Sequence, residues 1–103
     1  MNAGEELARA LGVQFVHFAG SAEILELTGR RWASVTFSGE RHRLALRLRG
    51  AGAAAAADAF LDGLDEREFA LRGHILADIA LLGEVREGDV VRLTLEALTV
   101  EES

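Results

Sequence analysis

The sequence predicts a single α+β domain over residues 1–103: a mainly antiparallel six-stranded sheet with helices packed on one face, ordered α-β-β-β-β-α-β-β. Three observations carry this expectation. Arg41 to Arg49 reads R-H-R-L-A-L-R-L-R, with arginine at 41, 43, 47 and 49 and His42, Leu44, Leu46 and Leu48 between. Side chains alternate across a strand with period two, so this segment has one apolar face and one guanidinium face. The apolar runs around it are separated by short glycine-containing connections, which suit antiparallel neighbours because parallel pairing needs a long crossover. Two segments with helical signals stand apart from these runs, one at the start and one after Arg49.

Each element has its own local reason. Asn2 with Glu5 three residues on is an N-terminal capping pair, Leu7, Ala10 and Leu11 recur at helical spacing, and Gly12 serves as the stop. Val13 to Ala19 reads as the first strand and Gly20-Ser21 as a tight turn. Ala22 to Thr28 is the second strand, followed by Gly29-Arg30-Arg31. Trp32 to Ser38 is the third, with Gly39-Glu40 as a two-residue turn into the arginine strand. Gly50 to Asp62 is helical by alanine content; Asp58, Asp62 and Asp65 mark its polar stripe and Ala57, Phe60, Leu61 and Leu64 its apolar one. Gly63 closes that helix. Strands over about Phe69 to Leu82 and Val90 to Glu101, joined near Glu84 to Asp89, complete the chain.

Pleat parity extends the reading to pairs. A turn at Gly39-Glu40 sets Phe37 opposite His42, Val35 opposite Leu44 and Ala33 opposite Leu46, with Trp32 beside Arg47 on the other face. In the last hairpin, Leu81 with Val91 brings Ile79 to Leu93, Ala77 to Leu95 and Asp78 to Thr94. One face of the sheet is then aliphatic, and the other mixes arginine, hydroxyl and carboxylate around one tryptophan. From Leu76 to Leu82 both faces are apolar, and Leu98 and Val100 add to the polar side. A strand apolar on both sides needs cover on both sides. Self-association through Leu76, Ala80, Leu82, Leu98 and Val100, as a homodimer, supplies that cover; a fold-over of the first strand or first helix is the alternative.

Composition excludes several function classes. Cysteine is absent, so disulfide and thiolate chemistry are excluded. Every basic residue is arginine and alanine is abundant, a pattern that fits a high-GC bacterial coding bias. The acidic start Met1-Asn2-Ala3-Gly4-Glu5-Glu6 has no apolar segment of a secretory leader, and no apolar run approaches the roughly 18 residues of a membrane span. The expected compartment is the cytoplasm. A net charge of −6 disfavours general affinity for nucleic acid, although a local basic patch is compatible with it.

Four features carry candidate chemistry. The arginine face, with Arg43, Arg47, Arg49 and Trp32, has the groups to grip phosphate or stack a base, or to form a solvated face paired with Glu23, Glu26 or Asp78. Gly50-Ala51-Gly52-Ala53-Ala54-Ala55 spells G-x-G-x-x-A between a strand and a helix, but a dinucleotide-binding strand is buried in a parallel sheet and this one alternates with arginine. His17, His42 and His74 lie on separate predicted strands without close-spaced partners, so no metal site and no cofactor is expected. His74 diagonal to Glu96 has the makings of a base and its orienter, and Asp78 sits in apolar surroundings near Arg92.

Three functions follow. The leading one is a small non-enzymatic module acting through self-association or protein contacts. The second is an anion-binding sheet for a phosphorylated ligand or single-stranded nucleic acid. The third is a small enzyme using His74 with Glu96 or Asp78.

Overall fold

Helix α1 forms where the cap signal places it. It spans Ala3–Val13 in the computed structural model, which describes residues 2–102. Glu5 N–H donates to Asn2 Oδ1 at 2.8 Å, meeting one of the amides a helix start leaves free. Ala3, Leu7, Ala10 and Leu11 share one buried face, which docks a helix too short to persist alone.

Four strands follow, not six. β1 spans Ser21–Ala33, β2 Ser38–Arg49, β3 His74–Glu87 and β4 Val90–Glu101, in one antiparallel sheet of order β1-β2-β4-β3. The expected first strand at Val13 to Ala19 is instead a run of turns leaving α1, in which Phe15 reaches the core while Val16 stays exposed. The expected second and third strands are one. Gly29 does not break it: its backbone stays extended and pairs with His42, and a Cβ there would fall 2.8 Å from Glu40 Oε2. The reversal falls at Ser34–Phe37, closed by Ser34 N–H donating to Phe37 O at 2.7 Å and Phe37 N–H donating to Ser34 Oγ at 3.0 Å. A serine hydroxyl thus makes the turn that the sequence assigns to Gly39-Glu40.

The moved turn changes the register. Ala33 pairs with Ser38 and Trp32 with Gly39, while Arg47 lies opposite Glu23. Val35 and Phe37, expected on the core face, are exposed at the hairpin tip. In the second hairpin Leu81 pairs with Leu95 and Ile79 with Ala97, and irregularities at Ala77 and Leu82 leave Asp78 opposite Leu98. β3 continues past Leu82 to Glu87, so the turn is only Gly88-Asp89, with Gly88 at φ 57°. Positive φ at the first turn position is what a two-residue hairpin of natural twist requires.

The alternation of the arginine strand is present in β2: His42, Leu44, Leu46 and Leu48 are buried, while Arg41, Arg43 and Arg49 are exposed. β4, at the centre beside β2, contributes Val91, Leu93, Leu95 and Ala97 to the same side. α1, the helix α2 (Ala53–Leu61) and a 3₁₀ turn at Leu64–Glu66 cover that side. Phe60 of α2 meets Phe15 with ring centroids 5.1 Å apart, and Arg67 lies over the Phe60 ring. Each fully buried leucine contributes about 1.5–3 kcal/mol through the apolar area it removes from water. The helices lie on one side of the sheet only, which leaves its other face uncovered.

Candidate functional site

Register fixes the composition of the uncovered face row by row, because residues directly opposite in an antiparallel sheet share a face. At one end Trp32, Gly39, Val100 and Ile75 run across β1, β2, β4 and β3 as an apolar row. Beside it run Arg30, Arg41, Leu98 and Asp78, then Thr28, Arg43, Glu96 and Ala80. Further along lie Glu23, Arg47, Arg92 and Val85.

Most of its arginines find carboxylates within the chain. Arg47 and Arg49 both reach Glu23 Oε1, at 3.1 and 3.3 Å. The Arg47 hydrogen bond and charge hold the Glu23 carboxyl below the usual carboxylate range, against a smaller opposing effect of desolvation. Arg92 stands 3.6 Å from Glu26. Arg41 donates to Glu96 at 2.9 Å, and Arg43 stands 3.9 Å from the other oxygen of that carboxylate. Arg30 is in no ion pair among the described residues, and it lies directly opposite Arg41. Around Thr28, Arg30, Arg41, Arg43 and Glu96 the surface dips into a pocket of about 420 Å³.

The four residues expected to bind a ligand together are therefore separated. Trp32 lies over Gly39, where a Cβ would come 3.0 Å from its Cζ2, and its buried indole N–H has no partner among the described residues. It does not stand beside Arg47. Arg47 and Arg49 share the single carboxylate of Glu23, and only Arg43 belongs to the pocket. Strand parity already puts Arg41 on the guanidinium face with Arg43; Arg30 is the member it does not select, because the expected connection at Gly29-Arg30-Arg31 leaves it in a turn beside that face.

The proposed contact residues also divide. Leu76 turns to the helix side and packs against the core, which removes it from an outward-facing set. Ala80 is exposed on the uncovered face, Leu98 and Val100 are half-buried there, and Leu82 is exposed at an irregularity. Ile75, Leu81 and Val85 join them as exposed apolar residues of β3. β3 is an edge strand, so its outer backbone groups are unpaired as well.

The groups of the enzymatic reading are not brought together. His74 pairs with Glu101 on the helix side, whereas Glu96 and Asp78 lie on the uncovered face. Gly52 caps α2 with a left-handed backbone, but the strand before it is antiparallel and Arg49 is engaged with Glu23, so the G-x-G-x-x-A spelling lacks a dinucleotide setting. No group of three metal-ligating side chains occurs among the described residues. Among the described residues no helix is long and apolar enough to cross a membrane. Asp58, on the polar stripe of α2, accepts from Arg86 at 2.7 Å, whereas Asp62 and Asp65 are exposed.

This arrangement defines a two-layer α+β domain with one bare sheet face and one apolar sheet edge. No protein-family model matches the chain, and no curated protein matches it. Among solved structures, it is similar to a chain from the virion of a native gene transfer agent particle, with 23% identity and a TM-score of 0.53. The likeness covers 84% of this chain and 72% of that one, and at this identity it is a likeness of fold.

Proposed function

We propose that the chain is a non-enzymatic contact module, a subunit that works by associating with itself along β3 in a protein assembly. The observation that carries this reading is the edge. β3 runs for 14 residues at the border of the sheet, with Ile75, Leu82 and Val85 exposed by 54%, 46% and 57%. Proteins that stay monomeric blunt such edges with charge, proline or a covering element. The other edge, β1, carries Glu23, Glu26, Arg30 and Arg31 along its length, whereas the charges of β3 stop at Asp78 and resume at Glu84, leaving residues 79–83 without one. Pairing two β3 edges antiparallel would satisfy their free backbone groups and cover these side chains, continuing into the apolar row of Trp32, Val100 and Ile75. The fold likeness to a chain of a virion supports an assembly role, since that chain is itself part of a virion particle. A cytoplasmic setting belongs to the same proposal.

The test is Leu82→Lys with Val85→Lys, followed by sedimentation equilibrium. Edge pairing predicts a wild-type dimer and at least about a ten-fold weaker dimer in the variant, or 1.4 kcal/mol, with the fold retained by circular dichroism. Val16→Lys, at a more exposed position in the turn after α1, leaves the dimer intact. A wild-type protein that sediments as a monomer at high concentration overturns the reading.

A further inference from the structure

The pocket around Arg30, Arg41 and Arg43 is electrostatically incomplete. Arg41 and Arg43 share one carboxylate, Glu96, while Arg30, in no ion pair among the described residues, lies directly opposite Arg41 on the neighbouring strand. Like charges so placed repel. A second anion between them would relieve that repulsion.

The chain carries a matching surface elsewhere. Asp62, Asp65, Glu66 and Glu68 follow α2 through the 3₁₀ turn; all are exposed, and none is in an ion pair among the described residues. The 3₁₀ turn lies in the helix layer, anchored by buried Leu64. The sheet stands between this acidic turn and the basic pocket, so one molecule cannot close the contact on itself.

We propose that the Arg30–Arg41–Arg43 pocket is a carboxylate-binding site occupied by the acidic 62–68 turn of a second copy of the chain. This proposal rests on the assembly reading but uses a different surface. Edge pairing is isologous, with the same strand on both partners, whereas a basic pocket against an acidic turn is head-to-tail. The pocket suits carboxylate side chains better than a phosphate backbone. Its positive charge is set apart from the rest of the face, because Arg47 and Arg49 share Glu23 and Arg92 stands by Glu26, which interrupts a basic track with carboxylates. No exposed aromatic lines the pocket for a base to stack on.

The test is charge exchange between the two surfaces, read by sedimentation velocity at low salt in the Leu82→Lys, Val85→Lys background, which removes the edge contact. Arg30→Glu with Arg43→Glu forms one variant and Asp65→Arg with Glu66→Arg the other; circular dichroism confirms that each folds. Each alone should associate at least ten-fold less tightly than the parent. The two mixed should associate again, because each retains the surface the other has lost. A chain carrying all four changes should recover as well, and raising the salt should dissociate every complex. Unchanged association in either variant, or failure of the mixture to recover, overturns the proposal. So does a parent that stays monomeric at low salt, or a pocket that binds inorganic phosphate or an oligonucleotide while self-association ignores both charge variants. Each of these results leaves the edge contact standing if Leu82→Lys, Val85→Lys has dissociated the wild-type dimer.

Discussion

The carboxylate of Glu6 accepts the backbone N–H of Arg72 at 2.7 Å, joining helix α1 to the segment entering β3 across 66 residues of sequence. Glu6 is fully buried, and Arg9 reaches the same oxygen at 3.1 Å while donating to Ala70 O at 2.7 Å. A buried charge is tolerated only where it is paired and hydrogen-bonded, as here. The link fixes the short helix to the β3 end of the sheet.

Glu6→Gln should therefore lower the melting temperature by several degrees at neutral pH and lose this advantage in acid. The Arg72 amide first, and then the Arg9 guanidinium, hold the Glu6 carboxyl below its ordinary value of 4.5, against desolvation. A carboxyl lowered on folding stabilises the fold above its unfolded value, and that contribution is lost as pH falls through the lowered folded value. Denaturation of both proteins across this range should show the gap between them constant above pH 4.5 and closing below it.

Val35 and Leu44 decide where the first hairpin turns. Strand parity with a turn at Gly39-Glu40 sets them face to face in the core, yet Val35 is fully exposed and Leu44 is 1% exposed. Leu44→Ala should cost about 2–5 kcal/mol in denaturant unfolding. Val35→Ser should stay within about 0.5 kcal/mol of wild type, as a surface change does. Equal losses at both positions would place the turn back at residues 39 and 40.

His42 and Thr99 form the polar contact inside the core, Nε2 to Oγ1 at 2.9 Å. Thr99 directs its own proton to Glu40 O at 3.3 Å, so His42 is the donor. Thr99→Val leaves that ring N–H buried without an acceptor, a loss of about 1–3 kcal/mol. Burial is the main reason the His42 imidazole titrates below 6.5, with Glu40 opposing it and His74 reinforcing it. The unfolded chain then takes up the proton first, so stability falls as pH drops below 6.5. His42→Leu should flatten that part of the pH profile, measured by urea unfolding.

Local signals were legible where one residue type settles them. The Asn2 cap, the apolar stripe of α1 and the alternation of Arg41 to Arg49 each follow from nearest-neighbour geometry, and each stands in the structure. Glycine misled where its freedom is not used. Gly29 and Gly39 sit inside strands, kept small by Glu40, Trp32 and the Thr99 carbonyl rather than bent by a positive φ. The turn was made by Ser34, a residue whose hydrogen bond to its own loop leaves no periodic trace.

The site was legible in type and not in membership. Alternation put arginines on one face of β2, and that face is bare. Which of them keep free charge depends on β1, because Glu23 takes Arg47 and Arg49 while Arg30 arrives beside Arg41. A change of hairpin register moves every one of these partners.

The sequence by itself determined the α+β composition, the antiparallel sense of the sheet, its two helices and the two-faced character of β2. These rest on period, capping and composition, which act over a few residues. Only the tertiary structure decided the number of strands, the order β1-β2-β4-β3, the exposure of β3 as an edge and the isolation of the Arg30–Arg41–Arg43 pocket. Those features come from pairings between residues far apart in the chain. Pleat parity says which face a side chain takes but leaves its cross-strand neighbour to the turn and the bulges.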